Sequence, residues 1–143
     1  MSYKYGHWVC QFKLPEDAIG FIYCITDLVT NQKYIGRKNM TSTRRKQVKK
    51  KTNPSEKKTV RITKASDWET YTSSSKQVNE LIQLHGKQRF RFEILSAHKT
   101  KSDLNYAEVY QLVMRGALTK YLPDGTPEYF NGIIPPVRTR PTR

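Results

Sequence analysis

A predicted β-hairpin near the amino terminus constrains the fold more than any other feature of the sequence. Two short apolar stretches, residues 21–25 (Phe-Ile-Tyr-Cys-Ile) and 33–36 (Lys-Tyr-Ile-Gly), flank the turn-forming residues 27–32. This pattern is typical of two antiparallel strands joined by a turn. Such a hairpin holds two phenols, Tyr23 and Tyr34, on one rigid scaffold, where a phenol can pass a proton or bind a phosphate oxygen. On spacing alone, two tyrosines in a hairpin more often pack against each other.

The remaining secondary structure follows from hydrophobic periodicity and capping residues. The patterns predict helices over about 41–51, 75–85 and 103–118, and a third strand over 90–95. The serine cluster at residues 73–75 is suited to cap the second helix, and either Thr100 or Ser102 to cap the third. We expect a mobile basic loop after the first helix, because Asn53 precedes a proline.

The charge of the chain predicts a nucleic-acid partner. Lysine and arginine number 26 against 12 acidic residues in 143, a formal net charge of +14. Basic side chains release condensed counterions from phosphates, so this excess favours DNA or RNA. No amphipathic basic helix, lipidation signal, signal peptide or membrane-length apolar run is apparent, so we expect a soluble, cytoplasmic protein that does not bind membranes.

Three segments divide the chain into one modest domain with extensions. Residues 1–19 form an aromatic and basic arm, which could pack over the sheet or stack on bases, with packing favoured. Residues 37–64 form a basic insertion, and residues 133–143 a Pro/Arg-rich extended tail. A merely solvated, flexible insertion is the alternative to a DNA contact. The candidate DNA-binding residues in the insertion are Arg45, Lys46, Lys49, Lys50 and Lys51.

One carboxylate of the predicted third helix is out of place. Glu108 lies four residues from both Leu104 and Leu112, which puts it on or beside the apolar stripe of the helix. A partly buried carboxylate is costly unless a cation compensates it. A divalent metal ion such as Mg²⁺ would do so. An ion pair with Arg115 or a lysine, or an exposed place at the edge of the stripe, is the alternative.

Cysteine and histidine provide no metal site in the sequence. Cys10 and Cys24 have no Cys-x-x-Cys or Cys/His cluster near them, and His7, His85 and His98 are scattered. A zinc site is therefore not expected, and both cysteines should be reduced and structural.

Ile22-Tyr23, followed at this spacing by Tyr34-Ile35-Gly36, resembles the paired signature of the GIY-YIG nuclease superfamily, with the first glycine one place early at Gly20. The resemblance extends over residues 20–132, which we assign to the nuclease domain, and is strongest to freestanding phage homing endonucleases. It implies a compact α/β (α+β) fold, in which a three-stranded, mainly antiparallel sheet is flanked by helices. It also implies metal-dependent cleavage of double-stranded DNA in the host cytoplasm, leaving 5′-phosphate and 3′-hydroxyl ends.

The resemblance further implies a role for each candidate residue. Tyr23 would act as general base or orient the water, while Tyr34 would bind the water or the scissile phosphate. Glu108 would hold one Mg²⁺ or Mn²⁺ ion. The residues in supporting roles are Arg44 on the phosphate, with Arg45 in reserve, Asn131 as a brace, and Lys38 as a further phosphate contact.

Two other classes of protein remain open at this stage. A catalytically silent nucleic-acid-binding module would bind DNA without cutting it, and a structural protein of a nucleoprotein particle would bind tightly without turnover. For a nuclease this short, target selection would rest on the basic segments, a partner protein or a second copy in a homodimer.

Overall fold

The computed structural model describes residues 2–141, with the backbone alone for residues 43–45. Seven strands, two α-helices and a short 3₁₀ helix over Lys87–Arg89 follow one another along the chain. The strands are β1 (Tyr3–Tyr5), β2 (Trp8–Cys10), β3 (Gly20–Asp27), β4 (Lys33–Asn39), β5 (Thr41–Lys49), β6 (Lys57–Ala65) and β7 (Phe90–His98), and the helices are α1 (Lys76–His85) and α2 (Lys101–Met114).

Five of these strands form one mixed sheet in the order β1-β2-β7-β3-β4. The predicted hairpin is β3 and β4, and the predicted third strand, β7, pairs antiparallel with β3. The predicted α+β fold class is thus confirmed, and this sheet has two more strands than the three expected. Both come from the amino-terminal segment, where β1 pairs antiparallel with β2 and β2 runs parallel to β7.

The amino-terminal aromatic residues pack within the protein. The Trp8 side chain is fully buried, and its indole Nε1 donates a hydrogen bond to the Trp68 carbonyl at 2.8 Å. The ring of Trp8 lies 5.2 Å from the rings of both Phe21 and Tyr23. Of the two interpretations of this segment, packing is therefore the one that the structure supports.

The two helices cover opposite faces of the sheet. On one face, Val78 and Ile82 of α1 pack into a core that includes Tyr23. On the other, Leu104 and Leu112 of α2 pack into a second core. The helix caps match the sequence, because Ser75 accepts a hydrogen bond from the Val78 amide and Thr100 caps α2.

A buried ion pair fixes the turn between β3 and β4. Arg89 donates two hydrogen bonds of 2.9 Å to the carboxylate of Asp27, which is fully buried. Burial would raise the pKa of Asp27, but Arg89 and the amides of Val29 and Thr30 lower it overall. At the same turn, Asn31 adopts a positive φ of 69°, which asparagine tolerates better than most residues. The position of Tyr34 therefore depends on a rigid turn.

The predicted helix over 41–51 and its following loop are wrong, because this segment forms strands β5 and β6. The two strands pair antiparallel from Thr41 opposite Ala65 to Lys49 opposite Lys57. Four of the nine residues of the second strand are β-branched (Thr59, Val60, Ile62 and Thr63), and such residues favour extended backbone over helix. Asn53 stabilises the connecting turn by accepting a hydrogen bond from the Ser55 amide. We call this two-stranded sheet the basic ribbon.

Three further expectations concern the cysteines, the tail and the membrane. Cys10 and Cys24 are both free and buried. Residues 134–141 of the tail contain no helix or strand, as predicted, and residues 142–143 lie outside the described part. Within residues 2–141, no helix has the length and apolar character needed to cross a membrane.

Candidate active site

The candidate site lies along β4, the last strand of the five-stranded sheet. Tyr34 stands opposite Ile25, and Gly36 stands opposite Tyr23, so Tyr34 and Gly36 share the face that α1 covers. Arg37 lies on the other face, where it meets α2. Because β4 is an edge strand, groups from both faces can approach each other around it.

A cleft of about 230 Å³ opens at this edge. It brings together three of the residues predicted from the sequence: Tyr34, Glu108 and Asn131. The remaining lining comes from α2 and from the segment after Asn131, and consists of Leu112, Gly132, Ile133 and Pro135.

Glu108 is the acidic group of this cleft. Its side chain is only 13% exposed, and its neighbours Leu104 and Leu112 are buried, as the helical spacing predicts. Burial raises the pKa of the Glu108 carboxyl, and the nearby positive charge of Arg37 acts against that rise. Arg37 Nε lies 3.7 Å from Glu108 Oε1. Arg115, the partner considered from the sequence, instead hydrogen-bonds Gln111.

Tyr34 presents a phenol that remains protonated at neutral pH. Burial raises its pKa, and the negative charge of Glu108 raises it further. The Tyr34 hydroxyl lies 2.9 Å from Ser74 Oγ, in the serine-rich turn before α1. Ser74 therefore helps to hold the phenol in place, a contact that the sequence analysis missed.

Tyr23 is fully buried and does not line the cleft. Its hydroxyl accepts a hydrogen bond from the Ser74 amide at 3.4 Å, and burial strongly raises its pKa. Gly36 lies directly against the Tyr23 ring, where a side-chain carbon would collide with the hydroxyl. Tyr23 is therefore both a packing residue and a support for the loop that carries Ser74. These properties disfavour it as a general base.

Asn131 fastens the carboxyl-terminal side of the cleft to β4. Its Oδ1 accepts a hydrogen bond from the Ile35 amide at 2.9 Å, and its Nδ2 donates one of 2.8 Å to the Ile35 carbonyl. Both polar atoms of the amide are thus engaged with backbone. These two bonds tie the segment around Asn131 to β4, and its role as a brace in catalysis stays a prediction.

None of the basic candidates whose side chains the structure describes lines the cleft. Lys38 bonds Asp67 at 2.9 Å and lies 4.1 Å from the centre of the Tyr71 ring, so it is committed to neighbours on the α1 face. Lys46 and Lys49 lie in β5 of the basic ribbon, and Lys50 and Lys51 lie in the turn that connects its two strands. The side chains of Arg44 and Arg45 lie outside the described residues, and their backbone is in a strand instead of the predicted helix.

Arg37 is the arginine that the sequence analysis overlooked. It follows Gly36 directly, and alternation along β4 places it on the same face as Ile35, toward α2. That alternation is visible in the sequence and could have identified it. Its side chain is 43% exposed, so its guanidinium can reach a phosphate from the open side of the cleft.

The donor set around Glu108 fits a hard divalent cation bound by one protein carboxylate. No group of three or more His, Cys, Asp or Glu side chains that could hold a metal occurs in the described part of the chain. Mg²⁺ commonly takes one or two carboxylates and completes its shell with water and substrate phosphates. A largely buried carboxylate that lines a cleft, with the partly exposed Arg37 beside it, suits this mode of binding.

Comparison with known families gives a match over most of the chain. The model for the GIY-YIG domain of the segE endonuclease matches residues 7–134, nearly the whole chain. The match begins before β2 and includes the basic ribbon. No curated protein and no solved structure matches the chain.

Proposed function

Because the chain belongs to the segE-type GIY-YIG endonuclease family, we propose that it hydrolyses phosphodiester bonds of double-stranded DNA with the help of Mg²⁺ or Mn²⁺. One observation carries the proposal: a largely buried Glu108 lines the same cleft as Tyr34, with Arg37 beside it. The homing role implied by the sequence resemblance is part of the same proposal.

Glu108 is the residue that would hold the metal ion. Its carboxylate is largely removed from water, and Arg37 is the compensating cation among the described side chains, so a second positive charge would be favourable there. A bound divalent ion would supply positive charge for the phosphate oxygens and lower the pKa of bound water. One ion is sufficient for one carboxylate.

Tyr34 acts as a hydrogen-bond donor to the attacking water or to the scissile phosphate. Its raised pKa keeps the hydroxyl proton in place at neutral pH, so donation is favoured over proton abstraction. Ser74 orients the hydroxyl through the 2.9 Å contact. Tyr23 supports this pair from within the core and does not itself touch the substrate.

An arginine binds the scissile phosphate and stabilises the charge that develops on it. Arg37 adjoins the cleft, whereas Arg44 has the spacing that the family resemblance implies. A guanidinium suits this role because its planar fork can donate two parallel hydrogen bonds to phosphate oxygens. Cleavage at the 3′ oxygen would leave 5′-phosphate and 3′-hydroxyl ends.

The proposal is tested by plasmid cleavage with purified protein. We expect nicking or cutting with Mg²⁺, none with EDTA, and ends that a ligase can rejoin. Glu108→Ala should reduce cleavage by roughly 100-fold or more while DNA binding persists. Glu93→Ala is the matched control, because Glu93 is a more exposed carboxylate, lies on β7 of the sheet, and pairs with Arg91.

Two outcomes would contradict the proposal in different ways. Undiminished cleavage by Glu108→Ala would remove Glu108 from the mechanism. DNA binding without any cleavage by the wild-type chain, in either metal, would identify a catalytically silent binding module.

A further inference from the structure

The basic ribbon is connected directly to β4, the strand that carries the candidate site. It begins directly after β4, and its two ends are joined by a hydrogen bond from the Ser66 amide to the Met40 carbonyl at 2.9 Å. Lys38 bonds Asp67 just beyond the ribbon. In the described residues, β5 and β6 pair with each other and with no strand of the larger sheet. The ribbon therefore extends from the catalytic domain as a separate arm.

The ribbon carries a large uncompensated positive charge. Residues 41–65 include ten lysines and arginines and one acid, Glu56. That acid bonds Lys50 at 3.0 Å, at the turn end of the ribbon. The lysines along the strands thus have no carboxylate within the ribbon to neutralise them.

The pairing register divides the ribbon into two different faces. Residues directly opposite each other in an antiparallel pair share a face, and successive residues alternate. One face, which we call the polar face, carries Gln47, Lys49, Lys57, Thr59 and Arg61. The other, which we call the mixed face, carries Lys46, Val48, Lys58, Val60, Ile62 and Lys64.

The polar face places like charges directly opposite each other. Lys49 pairs with Lys57, and both are exposed. Like charges at opposed positions destabilise a sheet, so this pair is unfavourable in the free protein. An anion between the two strands would relieve the repulsion. The opposed lysines thus lower the stability of the free ribbon and favour the binding of phosphate.

We propose that the basic ribbon enters the major groove of double-stranded DNA with its polar face toward the bases. The major groove is about 12 Å wide and admits a two-stranded β-ribbon. The nine residues of each strand extend about 30 Å, close to one turn of the duplex. The inference rests on the proposed function, since both require duplex DNA as the substrate.

The side chains of the polar face suit base edges as well as phosphates. Arginine pairs with guanine and glutamine with adenine through two hydrogen bonds in this groove, and threonine can bond either base edge. Arg61, Gln47 and Thr59 provide these types side by side. On the mixed face, Val48, Val60 and Ile62 are partly buried and offer no such donors. Target selection is therefore assigned to the polar face.

Two triple variants test which face binds DNA, because each removes three exposed charges from the same ribbon. The polar-face variant combines Lys49→Gln, Lys57→Gln and Arg61→Gln, and the mixed-face variant combines Lys46→Gln, Lys58→Gln and Lys64→Gln. Binding to a short duplex is measured in EDTA between about 50 and 200 mM salt. The slope of log K against log salt is negative, and its magnitude should fall by about 2–3 in the polar-face variant and by less than about 1 in the mixed-face variant. Thermal melting checks that both remain folded.

Groove ligands and double-stranded RNA complete the test. Methyl green, which occupies the major groove, should weaken binding, and netropsin, which occupies the minor groove, should not. Double-stranded RNA should compete poorly, because its major groove is deep and narrow.

Equal effects of the two triple variants, or inhibition by netropsin alone, would overturn the proposal. If the protein cuts DNA but the two triple variants bind equally well, only the ribbon proposal is contradicted. If the polar-face variant alone binds weakly but the wild-type protein does not cut DNA, only the proposed function is contradicted.

Discussion

The cleft and the basic ribbon use charge in opposite ways. In the cleft, Glu108 is largely buried beside Arg37, and Asn131 has both polar atoms bonded to backbone. In the ribbon, Lys49 and Lys57 are exposed and stand opposite each other. The comparison shows that the groups proposed for chemistry are fixed by packing, whereas the groups proposed for binding remain free to follow a phosphate backbone.

Both regions are electrostatically unfavourable in the free protein, but with opposite signs. Burial disfavours the negative charge of Glu108, and repulsion disfavours the positive charges of the ribbon. A cation would relieve the first and DNA phosphates the second. This difference predicts that variants of the cleft lose cleavage and keep DNA binding, while variants of the ribbon lose binding first.

After Glu108→Ala, the largest effect is expected from Tyr34→Phe, which removes only the hydroxyl. We expect cleavage to fall roughly 100-fold, because a positioned proton donor contributes about that much to a reaction. DNA affinity should stay within about twofold of wild type if cleft and ribbon are separate. Single-turnover cleavage and equilibrium binding measure the two effects. Tyr110→Phe is the matched control, since Tyr110 is half-exposed on the outside of α2.

A second variant distinguishes the phenol from its support. Ser74→Ala removes the 2.9 Å contact but leaves the hydroxyl of Tyr34 in place, so the loss of cleavage should be smaller than in Tyr34→Phe. A larger loss in Ser74→Ala would indicate that Ser74 itself contacts the substrate. Reduced DNA affinity in either variant would break the separation between cleft and ribbon.

Local patterns predicted the parts of the fold that depend on neighbouring residues. The alternation in β3 and β4, the cap at Ser75 and the misplaced carboxylate of Glu108 could all be recognised within a few residues. In the second half of the paired signature, Tyr34 and Gly36 share one face of β4, as strand alternation predicts. Close packing explains Gly20, because a side-chain carbon there would collide with Leu104 of α2.

Contacts between distant segments could not be predicted in this way. Strand β2 pairs with β7 more than eighty residues later, with Trp8 opposite Phe92. The segment 41–51 is rich in lysine, arginine and glutamine, which are good helix formers, so its strand depends on pairing with β6. The contact between Arg37 and Glu108 likewise joins β4 to α2 across the fold.

An intermediate effect is expected from Gly36→Ala, a change at a position where no side chain fits. The new methyl group would meet the Tyr23 hydroxyl and ring, so the free energy of unfolding should fall by about 1–3 kcal/mol. Gly132→Ala is the matched control, because nothing lies within 4 Å of its added carbon. Urea denaturation compares the two variants. Equal stability of both would show that β4 can move away from Tyr23, and that the cleft is less fixed than the comparison with the ribbon implies.

The smallest effect is expected from Glu108→Gln, and it is a gain in stability. Because burial raises the pKa of Glu108 in the folded state, the folded protein holds that proton more tightly than the unfolded chain. Stability linked to this carboxyl is therefore fully present below its unfolded pKa and is lost as pH rises through the folded pKa. Glutamine does not titrate, so in EDTA the melting temperature of Glu108→Gln should exceed that of wild type at pH 8. Each kcal/mol corresponds to about 2–4 °C.

The pH dependence and the response to metal separate this effect from a general change in packing. The difference in melting temperature should shrink toward pH 4, where the wild-type carboxyl is protonated, and a packing effect would persist there. Added Mg²⁺ should stabilise wild type and leave Glu108→Gln unchanged, because a ligand that binds only the folded state stabilises it. A wild-type protein more stable than Glu108→Gln at pH 8 in EDTA would mean that Arg37 fully compensates the carboxylate. In that case the cleft, unlike the ribbon, would carry no unfavourable charge for its ligand to relieve.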